Sequence, residues 1–177
     1  QVHNYYQIAG GEDAVVEVEG ALLKLNKNSL KAHFVHNDSL NGLFGKIRQA
    51  LTAHYSIAAL LKIKSILTCS QIDVIHSHNT FPLLSPSIYD AGAPIVQTLH
   101  NYRTICPTSL LMLNGKPCER SLRESAYWAV PYKVYRNSYI GTFILAHMIE
   151  YHKRKKTWSN KVDRYIALTE FSKKKYV

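Results

Sequence analysis

Short β-compatible runs alternate with helical stretches along the 177 residues, and most runs turn polar at their carboxyl ends. Those two features predict a doubly wound α/β fold, a mostly parallel sheet with helices on both faces. Neither an internal repeat nor a low-complexity segment interrupts the pattern.

The elements follow in order. "QVHN" reads as the second half of a strand. With no initiator Met before it, the chain is expected to be a fragment, truncated at both ends. "GGEDAVVEVEGALLKLNK" places Val15, Val18, Leu22 and Leu25 near helical period, with Glu12 and Asp13 in the first turn, where acidic groups suit the helix dipole. "KAHFVHND" predicts a short strand ending in turn residues. Two amphipathic helices are expected between Asn41 and Ser70; the second keeps Ile57, Leu60, Leu61, Lys64 and Leu67 near one face. "IDVIHSHN" is a strand, "SPSIYDAG" a short helix stopped by Gly92, and "PIVQTLHN" the next strand. A long loop carries Cys106 to Cys118, with "LNGK" between them as a hairpin tip. Helical patterns run from about Ser121 to Thr157, and "VDRYIALTEFSKKKYV" gives a final strand, a cap and a new helix.

Composition narrows the class. A chain 46% hydrophobic and 19% charged is globular, and its length suits one domain. Lys and Arg total 22 against 12 acidic residues, a net charge of +10 that favours anionic partners. Cys69, Cys106 and Cys118 form no disulfide framework and fit a reducing compartment. The opening residues have no signal-peptide pattern, and no apolar run is long enough to span a bilayer, so a cytoplasmic location is expected.

Open parallel sheets bind ligands outside the carboxyl ends of their strands. His3-Asn4, His76 to Asn79, His100 to Arg103 and Thr169-Glu170 are all expected at such ends, meeting along one rim. Gly10 and Gly11 lie between a strand and an acidic helix start, where free backbone N–H groups suit a phosphate; the alternative is a tight turn. They form neither a G-x-G-x-x-G fingerprint nor a Walker loop. His76 and His78 alternate and so share a sheet face. Together with His100 and Cys106 their spacing matches no zinc signature, and no metal is expected. His100 is the catalytic candidate, since a neutral imidazole can donate, accept or orient a hydroxyl. Beside it Arg103 suits an anion, Tyr102 a ring, and Asn101 the turn backbone. No serine sits in a nucleophile elbow.

Basic clusters occupy 152–156 and 172–175. "FILAHMIEYHKRKKTW" pairs an apolar stretch with Lys153, Arg154, Lys155, Lys156 and Trp158, an amphipathic pattern suited to an anionic membrane surface or to a solvated helix end. The aromatic residues are not interleaved with the basic ones as nucleic-acid stacking requires, so no nucleic-acid partner is expected.

Three stretches, in order and spanning nearly the whole chain, resemble the amino-terminal half of a family-4 glycosyltransferase of the GT-B fold. They are "GGEDAVVEVEGALLKL", "DVIHSHNTFPLLSPSIYDAGAPIVQTLHNYRTICP" and "VDRYIALTEFSKKKYV". "TLHNYR" followed by "ICP" and later "NGKPC" is similar to one bacterial branch that makes cell-surface polysaccharide. The resemblance implies one Rossmann-like domain of two, mostly holding the acceptor, with a nucleotide-sugar as co-substrate held largely by the other domain. It implies retaining, metal-independent transfer to a glycan or lipid-linked acceptor, without a further cofactor. Gly10 and Gly11 would lie near the donor diphosphate and His100 near the sugar. His78, Asn79, Asn101, Tyr102, Arg103 and Glu170 would line the acceptor side or cleft. The family's donor-handling glutamate pair belongs to the second domain, so this chain alone is expected to bind without turnover. The alternatives are a non-catalytic module at the inner face of a membrane and, for the open half-cleft, a homodimer.

Overall fold

The structure is a computed structural model that describes residues 1–6, 10–36 and 50–176. Its centre is a five-stranded, all-parallel sheet built from β1 (Val2–Tyr5), β2 (His33–His36), β3 (Ile75–Ser77), β4 (Ile95–Leu99) and β7 (Arg164–Ala167), in the order β2-β1-β3-β4-β7. Between β4 and β7 a small antiparallel hairpin pairs β5 (Met112–Leu113) with β6 (Lys116–Pro117). Asn114 and Gly115 at its tip both take positive φ, as the Asn-Gly dipeptide predicts.

Helix α1 (Gly11–Leu25) follows β1, and α2 (Ile57–Cys69) precedes β3, capped by the Ser56 hydroxyl accepting from the Ala59 amide at 3.2 Å. A 3-10 segment over Pro86–Asp90 takes the place of the expected short helix, and Gly92 ends it at φ 101°. The helical patterns expected from about Ser121 to Thr157 are four pieces: α3 (Arg120–Arg123), a 3-10 turn at Ala126–Tyr132, α4 (Tyr139–Arg154) and α5 (Thr157–Asn160). Lys133, Arg136, Asn137 and Lys156, all at positive φ, mark the breaks. Helix α6 (Glu170–Tyr176) begins where the Thr169 hydroxyl accepts from the Ser172 amide at 3.0 Å. The start of the first helix expected after Asn41 lies outside the described residues.

Strand alternation sorts the sheet into two unlike faces. One carries Val2, Val35, Ile75 and Ile95 and packs with Ile63, Leu60 and Leu67 of α2 and with Ile88 and Tyr89 into an apolar core. Carrying His3, His76, His78, Thr98 and His100, the other face lies under α1. A second apolar cluster joins Phe81 and Ala126 to Leu145, Ala146, Met148 and Ile149 of α4.

Two expected helix faces need correction. In α1 the buried residues are Asp13, Val16 and Gly20, whereas Val18, Leu22 and Leu25 are exposed. The sheet beneath α1 is polar, so the helix buries a carboxylate and a glycine against it instead of its apolar stripe. A Cβ at Gly20 would come within 2.9 Å of Gln1 Oε1, which shows how closely the helix approaches the start of β1. In α2 the inward residue is Ile63, with Ile57, Leu61 and Lys64 turned outward.

Candidate active site at the carboxyl rim

The strand register places the expected site residues in distinct rows. Asn4 of β1 pairs with Asn79, two residues beyond β3: the Asn4 amide donates to the Asn79 carbonyl at 2.8 Å, and Asn79 Nδ2 donates to the Asn4 carbonyl at 2.8 Å. His100 lies just beyond Leu99, which is level with Ala167 on β7. The rim therefore passes through the residues after Asn79 and through His100. His3 and His76 are inboard of it, inside the strands, and this corrects their expected place at the edge.

Asn79 is buried and fully engaged, its Oδ1 accepting from the Phe81 amide at 3.1 Å, which fixes the turn after β3. It shapes the rim and lines the same small cavity as His100 and Arg103. His78 is also buried, and its Nδ1 lies 3.0 Å from His100 Nε2 with the rings nearly parallel. Burial, reinforced by the imidazoles of His76, His100 and His3, holds His78 down to about 2. Burial likewise holds His100 at about 4, with His3 and His76 adding to it. Both rings are therefore neutral at neutral pH, and one N–H is shared between them. His100 stands half-buried at the edge, oriented by a neutral partner, as a hydrogen-bonding group for a ligand hydroxyl must be.

The loop after β4 is tied to the start of α1. Asn101 Nδ2 donates to Glu12 Oε2 at 3.3 Å, and Asn101 Oδ1 accepts from the Arg103 amide at 2.9 Å. The Arg103 guanidinium sits among three aromatic rings, 5.5 Å from Tyr6, 5.7 Å from Phe81 and 5.8 Å from Tyr135. Its Nε is buried without a hydrogen-bond partner. Aromatic faces hold a guanidinium in place while leaving its N–H groups for an anion. Burial raises Glu12, with Tyr6, Arg103 and Asn101 opposing the shift.

At the other side of the rim, Gly10 is extended at φ −121°, and its amide donates to Asp13 Oδ2 at 2.8 Å. Among the described residues, and apart from the adjoining backbone, neither Gly10 nor Gly11 has an atom within 4 Å of where a Cβ would stand, which leaves room for close approach. Asp13 is pinned from below by His3, whose Nε2 donates to Oδ1 at 2.7 Å. The helix start is thus anchored to β1 through one buried carboxylate.

Tyr102 stacks on Tyr176 at 5.8 Å, and Tyr176 Oη donates to the Asn101 carbonyl at 2.7 Å. Tyr102 therefore docks α6 on the rim loop through one ring face, and the residue is half-buried. Glu170 is exposed in the first turn of α6. His78, Thr80, Phe81, Gln97, His100 and Arg103 share the wall of a small cavity of about 30 Å³, which brings His100 and Arg103 to one place.

The basic segment divides. Lys153, Arg154, Lys155 and Lys156 are exposed, whereas Trp158 turns inward to both apolar clusters, with its ring 6.0 Å from Tyr89 and 5.3 Å from His152. Trp158 is a packing residue and not part of an amphipathic surface with the lysines. Among the described residues no helix is long and apolar enough to cross a membrane. Cys106 is buried and free, accepting from the Ser121 hydroxyl at 3.3 Å, in keeping with a packing role in its loop.

Sequence reasoning missed Glu19, whose Oε2 lies 3.6 Å from both His76 Nδ1 and His78 Nε2. The alternation of His76 and His78 was the available signal, since it implied a polar sheet face that some polar helix residue must meet.

The fold is an open, parallel α/β domain with polar side chains gathered at the carboxyl rim of β1, β3 and β4. Comparison with protein-family models, with curated proteins and with solved structures returned no match.

Proposed function

We propose that this chain is the acceptor-side, Rossmann-like domain of a retaining glycosyltransferase that uses a nucleotide-sugar donor. One observation carries the reading: the Asn101–Glu12 hydrogen bond joins the loop holding His100 and Arg103 to the glycine-led start of α1. An anion binder, a neutral imidazole and an open backbone are thereby held on one edge of the sheet.

The roles follow from chemistry. Gly10 and Gly11 let donor phosphate oxygens approach the α1 amino terminus, where the helix dipole is positive. Arg103 supports that negative charge from across the rim. His100, kept neutral and oriented by His78, hydrogen-bonds the sugar in transit without adding a charge of its own. An acceptor glycan or lipid-linked sugar approaches over the residues following β3. Leaving-group charge needs fixed donors on more than one side. This rim supplies one side, and a second domain would supply the donor-handling carboxylates.

Nucleotide-sugar transfer by the native gene product purified from source cells tests the reading. His100→Ala is expected to lower turnover about 100-fold or more, within the range for general acid-base and orienting groups, while leaving the unfolding midpoint nearly unchanged. Unaltered turnover would remove His100 from the reaction.

A further inference from the structure

Beneath α1 and inboard of the rim, a second cluster shares only His78 with that site. Glu19 Oε2 lies 3.6 Å from His76 Nδ1 and 3.6 Å from His78 Nε2, and the three donor atoms all fall within 4.8 Å of one another. A separation of 3.6 Å is too long for a hydrogen bond. Glu19 Oε2 is accordingly buried with no hydrogen-bond partner, although its residue is only half-buried. A carboxylate oxygen left in that condition is unfavourable, so hydrogen bonding alone does not explain the arrangement.

We propose that Glu19, His76 and His78 bind one divalent transition-metal ion, zinc being the ion best matched to two imidazoles and a carboxylate. Zinc bonds of about 2.0–2.2 Å to nitrogen and oxygen give a tetrahedron with edges of about 3.3 Å, within a few tenths of an ångström of the two carboxylate-to-imidazole separations of 3.6 Å. The backs of the ligands are also arranged as metal-binding histidines require. His76 Nε2 is 2.8 Å from Thr98 Oγ1, which leaves Nδ1 for the metal, and His78 Nδ1 is 3.0 Å from His100 Nε2, which leaves Nε2.

A fourth donor is at hand. Gln1 Oε1 is buried without a partner while its Nε2 lies 3.5 Å from His78 Nε2; turning the amide over presents oxygen to the same point. His76 also lines a cavity of about 210 Å³, which gives an ion a way in. The bound ion staples the middle of α1 to β3. It also fixes the His78 proton on Nδ1, toward His100. The inference is independent of the sugar-transfer reading, because its ligands and its test involve no sugar.

The test uses the whole chain, freed of metal with a chelator and titrated with zinc by calorimetry and with cobalt(II) by visible absorption. One equivalent is expected, with the visible bands of a tetrahedral nitrogen-oxygen site and a higher melting temperature on adding zinc. Glu19→Gln and His76→Gln, at half-buried positions, are each expected to weaken binding at least about tenfold and to abolish the melting shift, with circular dichroism unchanged. Glu19→Gln alone decides the matter if His76→Gln does not fold. No binding to the native chain, binding undiminished in Glu19→Gln, or a thiolate-to-cobalt charge-transfer band would each overturn the proposal.

Discussion

Asn101 and Glu12, 89 positions apart in sequence, meet through the Asn101 Nδ2 to Glu12 Oε2 bond of 3.3 Å. The contact holds the rim loop against α1, and Asn101 also accepts from the Arg103 amide. Asn101→Asp should therefore be less stable than Asn101→Ala at neutral pH. The alanine loses two hydrogen bonds, whereas the aspartate keeps the turn acceptor but sets one carboxylate against another. A difference of about 1 kcal/mol in urea unfolding is expected; an aspartate variant as stable as the native chain would show that the contact carries no weight.

Asp13 holds three elements at once. Its two oxygens accept from His3 Nε2 at 2.7 Å and from the Gly10 amide at 2.8 Å, and its side chain is almost fully buried. Asp13→Ala leaves a buried imidazole N–H and a helix-start amide without acceptors, a loss of about 2–4 kcal/mol by denaturant titration. His3→Gln, which can still donate, should lose less.

His152 gives the fold an acid limit. Its Nε2 donates to the His54 carbonyl at 2.6 Å and its Nδ1 lies 2.8 Å from the Thr157 hydroxyl, a pairing that suits the neutral ring. Burial lowers this histidine below its ordinary 6.5, outweighing the raising effect of the His54 carbonyl. The unfolded chain therefore binds a proton in a range where the folded one does not. Its contribution is fully present above about pH 6.5 and is lost as pH falls below that value toward the lower folded one. Thermal melts of the native chain and of His152→Gln should converge with falling pH across this window. Parallel curves would exclude His152 as a source of acid sensitivity.

Trp158 and its basic neighbours should separate cleanly on mutation. Trp158→Ala opens a void where both apolar clusters meet, and a loss of about 3 kcal/mol is expected. Lys155→Ala, at an exposed position, should stay within about 0.5 kcal/mol of the native chain. Equal effects would contradict the inward placement of the tryptophan.

These cases also show what the sequence could convey. The strand at "IDVIHSHN", the strand at "PIVQTLHN" and the parallel order followed from runs whose alternation is local. The common face of His76 and His78 was legible for the same reason. The inward face of α1 was not, because hydropathy selects Val18, Leu22 and Leu25 while the sheet offers histidines to Asp13 and Glu19. Trp158 was misread because α4 ends at Arg154 and Lys156 adopts φ 52°, a left-handed turn that redirects the chain. The rim roles of Asn79 and Tyr102 depended on partners 75 and 74 positions away, Asn4 and Tyr176, and spacing does not encode such contacts.

The most direct test of the central claim is a backbone NMR titration of this chain with uridine diphosphate. Binding through Gly10, Gly11 and Arg103 predicts weak, saturable shifts at those amides and at His100, lost in Arg103→Ala. Shifts confined to Lys153, Arg154, Lys155 and Lys156, or none at the rim with ligand in large excess, would contradict it.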